Sequence, residues 1–292
     1  MLYQIIAKSA VRILRGVAAT ILGISRSLDR SLLLSKNEKK ILKRNAHFKN
    51  LHAGKRAFVI VNGPSLADQN IEPLGGEITF VASGFYKHEV NKVWQPTYYC
   101  LSDPLFFNGS DECLSFFQEM RNVIFNSIFF IPLFRGYRAN KKFRLLPDKR
   151  TFYIASAGEP NGQLDMTQMV QGFKSVSSFA LAQAIYMGCN PIYLLGFDHD
   201  WLANQGVDKH FYKGGILKDR PSNNRPLSEL FTYYSMMQSG IQLWRNYFSL
   251  KRNAKQSGIK IYNATRGGYL DVFERVEYEK IIEGLYKHKS LK

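Results

Sequence analysis

The stretch Ala57-Phe58-Val59-Ile60-Val61-Asn62-Gly63-Pro64-Ser65-Leu66 decides the fold. Its five consecutive apolar residues, three of them β-branched, predict a buried first strand. In the turn that follows, Gly63 permits a positive φ, Pro64 fixes the next φ, and Ser65 caps a short helix beginning near Leu66. Such a helix start presents free N–H groups to an anion. The stretch is neither a GxGxxG nor a P-loop lysine motif, so it does not favour a dinucleotide or P-loop ATP site.

Further apolar runs predict the rest of an α/β domain. The predicted strands are 78–83, 97–101, 123–125, 127–133, 151–154 and 191–196, and a helix is predicted at 175–187. Strands alternate with helices, and polar residues follow the carboxyl ends of several strands. This pattern predicts a Rossmann-like αβα sandwich with a mostly parallel sheet and a ligand crevice at those ends.

Composition and charge indicate a globular protein with an anionic partner. The 292 residues are 45% hydrophobic, and the three cysteines form no CxxC pattern, so we expect a reducing compartment and no disulfide framework or structural zinc. The net charge of +17 predicts nucleic acid, an acidic membrane or a phosphorylated substrate as partner. Residues 1–56 hold thirteen Lys or Arg against two acidic residues, or +11 of that charge. A nucleic-acid enzyme more often spreads its cations around the cleft, so nucleic acid is not expected.

The first 34 residues are typical of a basic amphipathic arm. A polar stripe recurs at helical spacing through Gln4, Lys8, Arg12 and Arg15, and apolar residues fill the remaining surface. The longest stretch without a charge, 16–25, is too short to span a bilayer. The pattern predicts a helix lying in an anionic bilayer interface; the alternative is a helix packed on the domain. Together with a stalk at 36–55, this gives an arm and stalk at 1–54 and a catalytic domain at 55–292.

The strand at 191–196 delivers Asp198, His199 and Asp200 to the predicted crevice. An Asp-x-Asp at a strand end is found where a divalent metal holds a sugar diphosphate, and equally in turns or where a carboxylate orients a neighbour. His210 follows in a loop rich in Gly, Asp and Lys. A neutral imidazole there can take a proton from a sugar hydroxyl, although most loop histidines have no such role.

Two sets of motifs resemble known families. The chain resembles the small bacterial sialyltransferases at residues 62–66, 85–86, 105–107 and 180–198. Those proteins are single-domain enzymes of variant GT-A fold that use CMP-activated nonulosonic acid without a metal. Residues further along the chain resemble the MptE-like family still more closely, at 196–200, 210–212, 262–265 and 267–268. That family is labelled after an archaeal 6-hydroxymethylpterin pyrophosphokinase. The resemblance covers roughly residues 55–280.

The sialyltransferase resemblance implies roles for particular residues. Those implied in nucleotide binding are Asn62, Gly63, Pro64, Ser65, Ser83, Ser102, Asp103, Lys174, Ser175 and Ser177. For catalysis the resemblance implies His210 as general base and Tyr212, and the strand-end position of Asp198 and Asp200 makes them further catalytic candidates. Asp200 occupies the place of a family tyrosine, for which Tyr212 is the expected substitute. The resemblance implies no metal site and no cofactor; a divalent ion is an alternative that it does not favour.

These features predict an inverting glycosyltransferase that uses a CMP-activated sugar acid, of sialic or Kdo type, to modify a bacterial cell-surface or lipid-linked glycan such as lipopolysaccharide or capsule. The expected partners are the CMP-sugar donor, a glycan or lipid-linked acceptor, and an anionic membrane bound through 1–34. The expected location is the bacterial cytoplasm, peripheral on the inner face of the cytoplasmic membrane. Two alternatives stay open: an MptE-like pyrophosphokinase that uses ATP and Mg²⁺ with Asp198 and Asp200, and a non-catalytic membrane-recruited binding module.

Overall fold

A computed structural model describes residues 14, 16–17, 34–158, 162, 164–204, 210–213 and 232–289. Its strands are β1 (Ala57–Ile60), β2 (Ile78–Ala82), β3 (Tyr98–Cys100), β4 (Ile128–Pro132), β5 (Thr151–Ile154), β6 (Ser156–Ala157), β7 (Val170–Gln171), β8 (Ile192–Leu195), β9 (Ile261–Asn263) and β10 (Glu274–Arg275). Its helices are α1 (Lys36–Lys43), α2 (Asp111–Val123), α3 (Arg138–Phe143), α4 (Val176–Tyr186), α5 (Tyr233–Gln256) and α6 (Tyr278–Lys289).

Among the described residues, the main sheet has eight strands in the order β10-β9-β8-β1-β2-β3-β4-β5, and every neighbouring pair is parallel. Strands β6 and β7 form a separate parallel pair. The chain builds outward from β1 toward β5 on one side and from β8 toward β10 on the other. The order therefore reverses between β1 and β8, which is where sheets of this kind bind ligands. The predicted parallel α/β sandwich is confirmed.

Both faces of the sheet are covered, which explains why its strands are continuous apolar runs. In β1, Phe58 and Ile60 pack into one core with α2 and α6, whereas Ala57 and Val59 pack into the other with α4 and α5. All four side chains are completely buried. Helix α4 is buried on nearly every side, so its sequence has no solvent-facing polar stripe.

The segment 34–54, predicted as part of an arm and stalk, packs on the domain instead. Leu42 is completely buried, and Asn45 donates from Nδ2 to the Tyr153 and Met166 carbonyls at 2.8 Å each. Phe48 lies edge-on to the rings of neighbouring strands. The apolar residues among the lysines face the core, so the stalk expectation is wrong and the domain begins before residue 55.

The prediction of a strand at 123–125 is wrong, because Val123 ends α2 and Ile124 caps it.

The predicted arm lies mostly outside the described residues. Before Leu34 only Leu14, Gly16 and Val17 are described; they are helical, and the Leu14 and Val17 side chains are exposed. Across the parts of the chain that the structure describes, no helix is both long and apolar enough to cross a membrane.

Candidate functional site

A cleft of about 820 Å³ lies at the carboxyl edge of the sheet, where the strand order reverses. Its walls come from the segments after β1, β2, β3, β4 and β8, from the amino end of α4, and from residues 210 and 212. The predicted site residues that line it are Asn62, Gly63, Pro64, Ser83, Ser102, Asp103, Lys174, Ser175, Ser177, Asp198, Asp200, His210 and Tyr212. Ser65 is the one predicted site residue outside the lining. The structure thus brings the predicted set together, and their individual roles stay predictions.

Between β1 and β8, at the switch point where the strand order reverses, the backbone of Gly63 lies against the loop that follows β8. We call this loop, residues 196–204, the β8 loop. The Gly63 N–H donates to the Gly196 carbonyl at 3.0 Å, and a Cβ on Gly63 would lie 1.8 Å from Asp198 Oδ2. Its φ is −57°, so the expectation of a positive φ is wrong. Glycine is required here because no side chain fits between the two loops.

Ser65 holds the Asp198 carboxylate with two hydrogen bonds. Its N–H donates to Oδ1 at 3.0 Å and its Oγ to Oδ2 at 2.9 Å. Burial raises the pKa of Asp198, and the bonds from Ser65 act against that rise. Ser65 is the second residue of a 3₁₀ helix, Pro64–Asp68, so its predicted N-cap role is wrong. The protein's own carboxylate occupies the place expected for a ligand anion, and the turn fixes the β8 loop instead.

The part of the cleft that could hold an anion is the amino end of α4. Ser175 caps this 11-residue helix, and its Oγ accepts from the Ser178 N–H. The first N–H groups of a helix have no partner within it and carry partial positive charge. Lys174 and Arg135 also line the cleft, and neither forms an ion pair with another described residue. Arg135 was not predicted, since it comes from a π-helical turn after β4 that carries no motif.

A second unpredicted feature joins the β8 loop to α4. His199 Nε2 lies 2.6 Å from the Tyr247 hydroxyl, which lies 2.7 Å from Ser177 Oγ; Ser177 in turn contacts Ser175. His199 has φ 50°, an unusual conformation for a non-glycine residue. We call these four side chains the His199 network. Tyr247 comes from α5, 48 residues from His199, and no local pattern marks it.

Aromatic rings surround His199 and decide its charge. The ring centroids of Phe197, Trp201, Trp244 and Tyr247 lie 5.1–5.9 Å from the imidazole. Burial lowers the pKa of His199 to about 3, so the imidazole is neutral near pH 7. A neutral imidazole can both accept and donate a hydrogen bond, which suits the end of a hydroxyl chain.

Residues 210–212 contact the segments that follow β1 and β2. The Phe211 N–H donates to the Asn62 carbonyl at 3.0 Å. Tyr212 packs on Gly84, so closely that a Cβ added to Gly84 would lie 2.4 Å from Tyr212 Cζ. The Tyr212 hydroxyl is buried without a hydrogen-bond partner among the described residues. Burial raises the pKa of Tyr212. The exposed His210 ring lies 5.0 Å from that of Tyr212 and lines the cleft.

The other carboxylates of the cleft also have partners within the protein. Asp200 accepts from Asn204 Nδ2 at 2.7 Å, and Asp103 caps a 3₁₀ helix by accepting from the Leu105 N–H at 2.9 Å. Within the described ranges, no three His, Cys, Asp or Glu side chains are placed so that they could hold a metal ion.

Comparison with known proteins gives one family and several solved structures. No curated protein matches the chain. A point variant of the sialyltransferase CstII in complex with CMP is similar at 14% identity and TM-score 0.43, over 76% of this chain and 86% of that chain. CstII from Campylobacter jejuni with the substrate analogue CMP-3FNeuAc is similar at 14% identity and TM-score 0.41, with the same coverage.

The family comparison covers more than half of the chain. The matched segment is 33–204, which contains β1–β5, α4, β8 and every predicted site residue except His210 and Tyr212. It starts one residue before Leu34, the first residue of the continuous described segment 34–158. The chain belongs to the family described as 6-hydroxymethylpterin diphosphokinase MptE-like.

Proposed function

We propose that the chain is an inverting glycosyltransferase whose donor is a CMP-activated sugar acid of sialic or Kdo type. The observation that carries the proposal is that two chemically different sets of groups line one cleft. The amino end of α4, Lys174 and Arg135 can stabilise a phosphate anion. His210 and Asp200 can accept a proton. A cleft of about 820 Å³ is in the range that binds such ligands.

In the proposed reaction, the oxygen of an acceptor hydroxyl forms a bond to the anomeric carbon of the donor. The bond from that carbon to the phosphate oxygen of CMP breaks, and its electron pair stays on the phosphate. Lys174, Arg135 and the α4 N–H groups stabilise that charge. His210 takes the hydroxyl proton. A single displacement inverts the anomeric configuration, and CMP leaves as a phosphate monoester.

The hydrogen bonds of the 62–66 turn support one placement of the nucleotide. Because the Ser65 N–H is bonded to Asp198, we place the phosphate at the amino end of α4 and only the nucleoside beside Asn62, Pro64 and Ser102. The resemblance of these segments to CMP-binding ones supports the choice of cytidine. The acceptor is a lipid-linked or cell-surface glycan, and the basic arm 1–34 holds the protein on the inner face of the bacterial cytoplasmic membrane.

A second candidate, a 6-hydroxymethylpterin diphosphokinase using ATP and Mg²⁺, is favoured by the family description and by three carboxylates on the cleft. The residues present do not fit a protein-held metal ion. Asp198 receives hydrogen bonds at both oxygens from Ser65, and Asp200 receives one from Asn204. The described carboxylates also do not combine with other ligand side chains into a set of three.

Calorimetry of the full chain with CMP, CDP, UDP and ATP, each in EDTA and in Mg²⁺, tests the proposal. We expect CMP to bind in EDTA. Arg135→Ala and Lys174→Ala should each weaken binding roughly tenfold, the effect of losing one charge-assisted hydrogen bond. Arg138→Ala is the matched control, because Arg138 is exposed one turn further along and does not line the cleft.

Two results would contradict the proposal. Binding of ATP alone, only with Mg²⁺, followed by transfer of its β,γ-diphosphate to the hydroxyl of 6-hydroxymethylpterin with release of AMP, establishes the diphosphokinase. Absence of binding by all four nucleotides to the folded chain indicates a binding module. Release of CMP from a CMP-sugar on addition of a glycan acceptor separates a transferase from a protein that only binds the nucleotide.

A further inference from the structure

Helix α5 uses one face for packing inside the protein. Leu243, Tyr247, Leu250 and Ala254 recur at helical spacing and are buried in the core that also contains α4. From the same face, Asn246 Oδ1 accepts from the Lys174 N–H at 2.7 Å. The inner face of α5 therefore supports the cleft.

The opposite face of α5 leaves large apolar side chains in solvent. Those with exposed fractions between 39% and 66% are Tyr233, Tyr234, Met237, Ile241 and Phe248. Met237, Ile241 and Phe248 are spaced by four and seven residues, so they lie along one stripe. Scattered exposed apolar residues are normal, whereas a continuous stripe indicates an interaction surface.

The charge of the helix identifies the kind of partner. Helix α5 contains no Asp or Glu, and its cations Arg245, Lys251, Arg252 and Lys255 are all exposed. A two-fold contact between two copies of this face would bring the cations of both copies, and no acidic residue of α5, into one interface, which is unfavourable. An apolar stripe with tyrosines at one end and cations beyond it is the pattern of a helix lying in an anionic bilayer interface.

The stripe lies close to the cleft. Gly240 lies beside Leu202, which follows the cleft residue Trp201, and Tyr247 reaches Ser177 from the inner face. We propose that the outer face of α5, from Tyr233 to Lys255, is a docking surface for an anionic lipid bilayer. Docking there holds the cleft at the membrane surface. The surface is distinct from the arm 1–34 and is independent of what the cleft binds.

Environment-sensitive labels on the full chain test this surface directly. The native cysteines are all buried, so a nitrobenzoxadiazole label reacts selectively at a new, exposed cysteine. Ile241→Cys places the label on α5. Phe125→Cys is the matched control, because Phe125 is 58% exposed and precedes β4, at the edge of the sheet opposite the cleft. Circular dichroism checks that both variants fold.

The probe is a vesicle of phosphatidylglycerol and phosphatidylcholine, compared with phosphatidylcholine alone. On the anionic vesicle, the fluorescence emission of the label at 241 should shift to shorter wavelength and be quenched by spin-labelled lipid. The emission of the label at 125 should stay unchanged. Reversing two charges, Arg252→Glu with Lys255→Glu, should weaken the partitioning measured at 241 roughly tenfold. Nitrobenzoxadiazole fluorescence at 241 thus reports on α5 even if the arm also binds lipid.

Several outcomes would overturn the proposal. One is a chain that binds the vesicle while the label at 241 stays in water, and another is a chain that does not bind. A blue shift before lipid is added indicates a second copy if it depends on protein concentration. If it does not depend on concentration, another segment of the same chain covers α5.

Discussion

The Asp198 carboxylate lies so close to Gly63 that the two cannot be varied independently. A Cβ on Gly63 would lie 1.8 Å from Asp198 Oδ2 and 2.3 Å from the Gly196 carbonyl oxygen. Residues on either side of the switch point, separated by more than 130 positions in sequence, therefore fix each other in space.

We expect Gly63→Ala to destabilise the fold by about 1–3 kcal/mol or more, because the neighbouring backbone has to move. Denaturant unfolding measures the loss. Gly75→Ala is the matched control: Gly75 has a similar φ of −55°, and its nearest neighbour is a side-chain atom at 3.3 Å. Equal stability of the two variants would contradict the close approach at Gly63.

The pH dependence of stability should reveal the neutral His199. Its pKa in the folded chain is about 3, against 6.5 when unfolded, so between these values only the unfolded chain binds the proton. His199 should therefore contribute a fall in the free energy of unfolding of roughly 1 kcal/mol per pH unit as pH drops below about 6.5. His199→Asn, which tolerates the left-handed backbone, should remove this slope. An unchanged slope would show that His199 is accessible to protons in the folded state.

Tyr247→Phe removes the hydroxyl that joins His199 to Ser177 and keeps the ring. We expect a loss of about 1–3 kcal/mol of stability, since the buried Ser177 and the part-buried His199 each lose a hydrogen-bond partner. If the His199 network orients the α4 end, nucleotide affinity should fall as well. The control is Tyr186→Phe, whose hydroxyl bonds the Asn45 carbonyl at 3.2 Å and does not line the cleft. Similar nucleotide affinity in both variants would limit Tyr247 to a structural role.

His210→Ala tests the general base. We expect kcat to fall by roughly 10²–10⁴ with donor affinity nearly unchanged, as for a positioned base. His47→Ala, at an exposed site outside the cleft lining, should have no effect. Wild-type turnover in His210→Ala would move the search for the base to His199 or Asp200.

The arm 1–34 should strengthen binding to phosphatidylglycerol vesicles, because its cations border a wide apolar surface. Sedimentation compares the full chain with a truncation that begins at Leu34. A truncation beginning at residue 50 is unsuitable, since it removes Asn45 and Phe48 from the core. Equal sedimentation of the two proteins would show that the arm does not contact lipid.

The elements of the fold that have a distinctive local sequence pattern were predicted correctly. Strand β1 and helix α4 are buried on both sides, so their apolar runs mark them clearly. The segment 123–125 has the same apolar character, but it only completes and caps α2. Leu42 and Phe48 lie among lysines that dominate the composition, so their burial was missed.

The site was predicted as far as strand ends and motifs define it. The bond between Ser65 and Asp198 joins positions 133 residues apart, and Tyr247 reaches the cleft through the packing of α5 on α4. Such contacts depend on how whole elements pack together. The sequence therefore identified most of the polar lining of the cleft, but not Arg135 or the Asp198 and Tyr247 contacts that organise the cleft.

The position of Tyr247 also has a consequence for biosynthesis. A chain leaving the ribosome can pair β1 with β8 once residue 195 has emerged, and domains fold as their segments appear. The amino end of α4 still lacks Asn246 and Tyr247 at that stage. About fifty more residues must be synthesised before those side chains arrive. The nascent protein thus passes through a stage in which its sheet is largely assembled while its ligand cleft is unfinished.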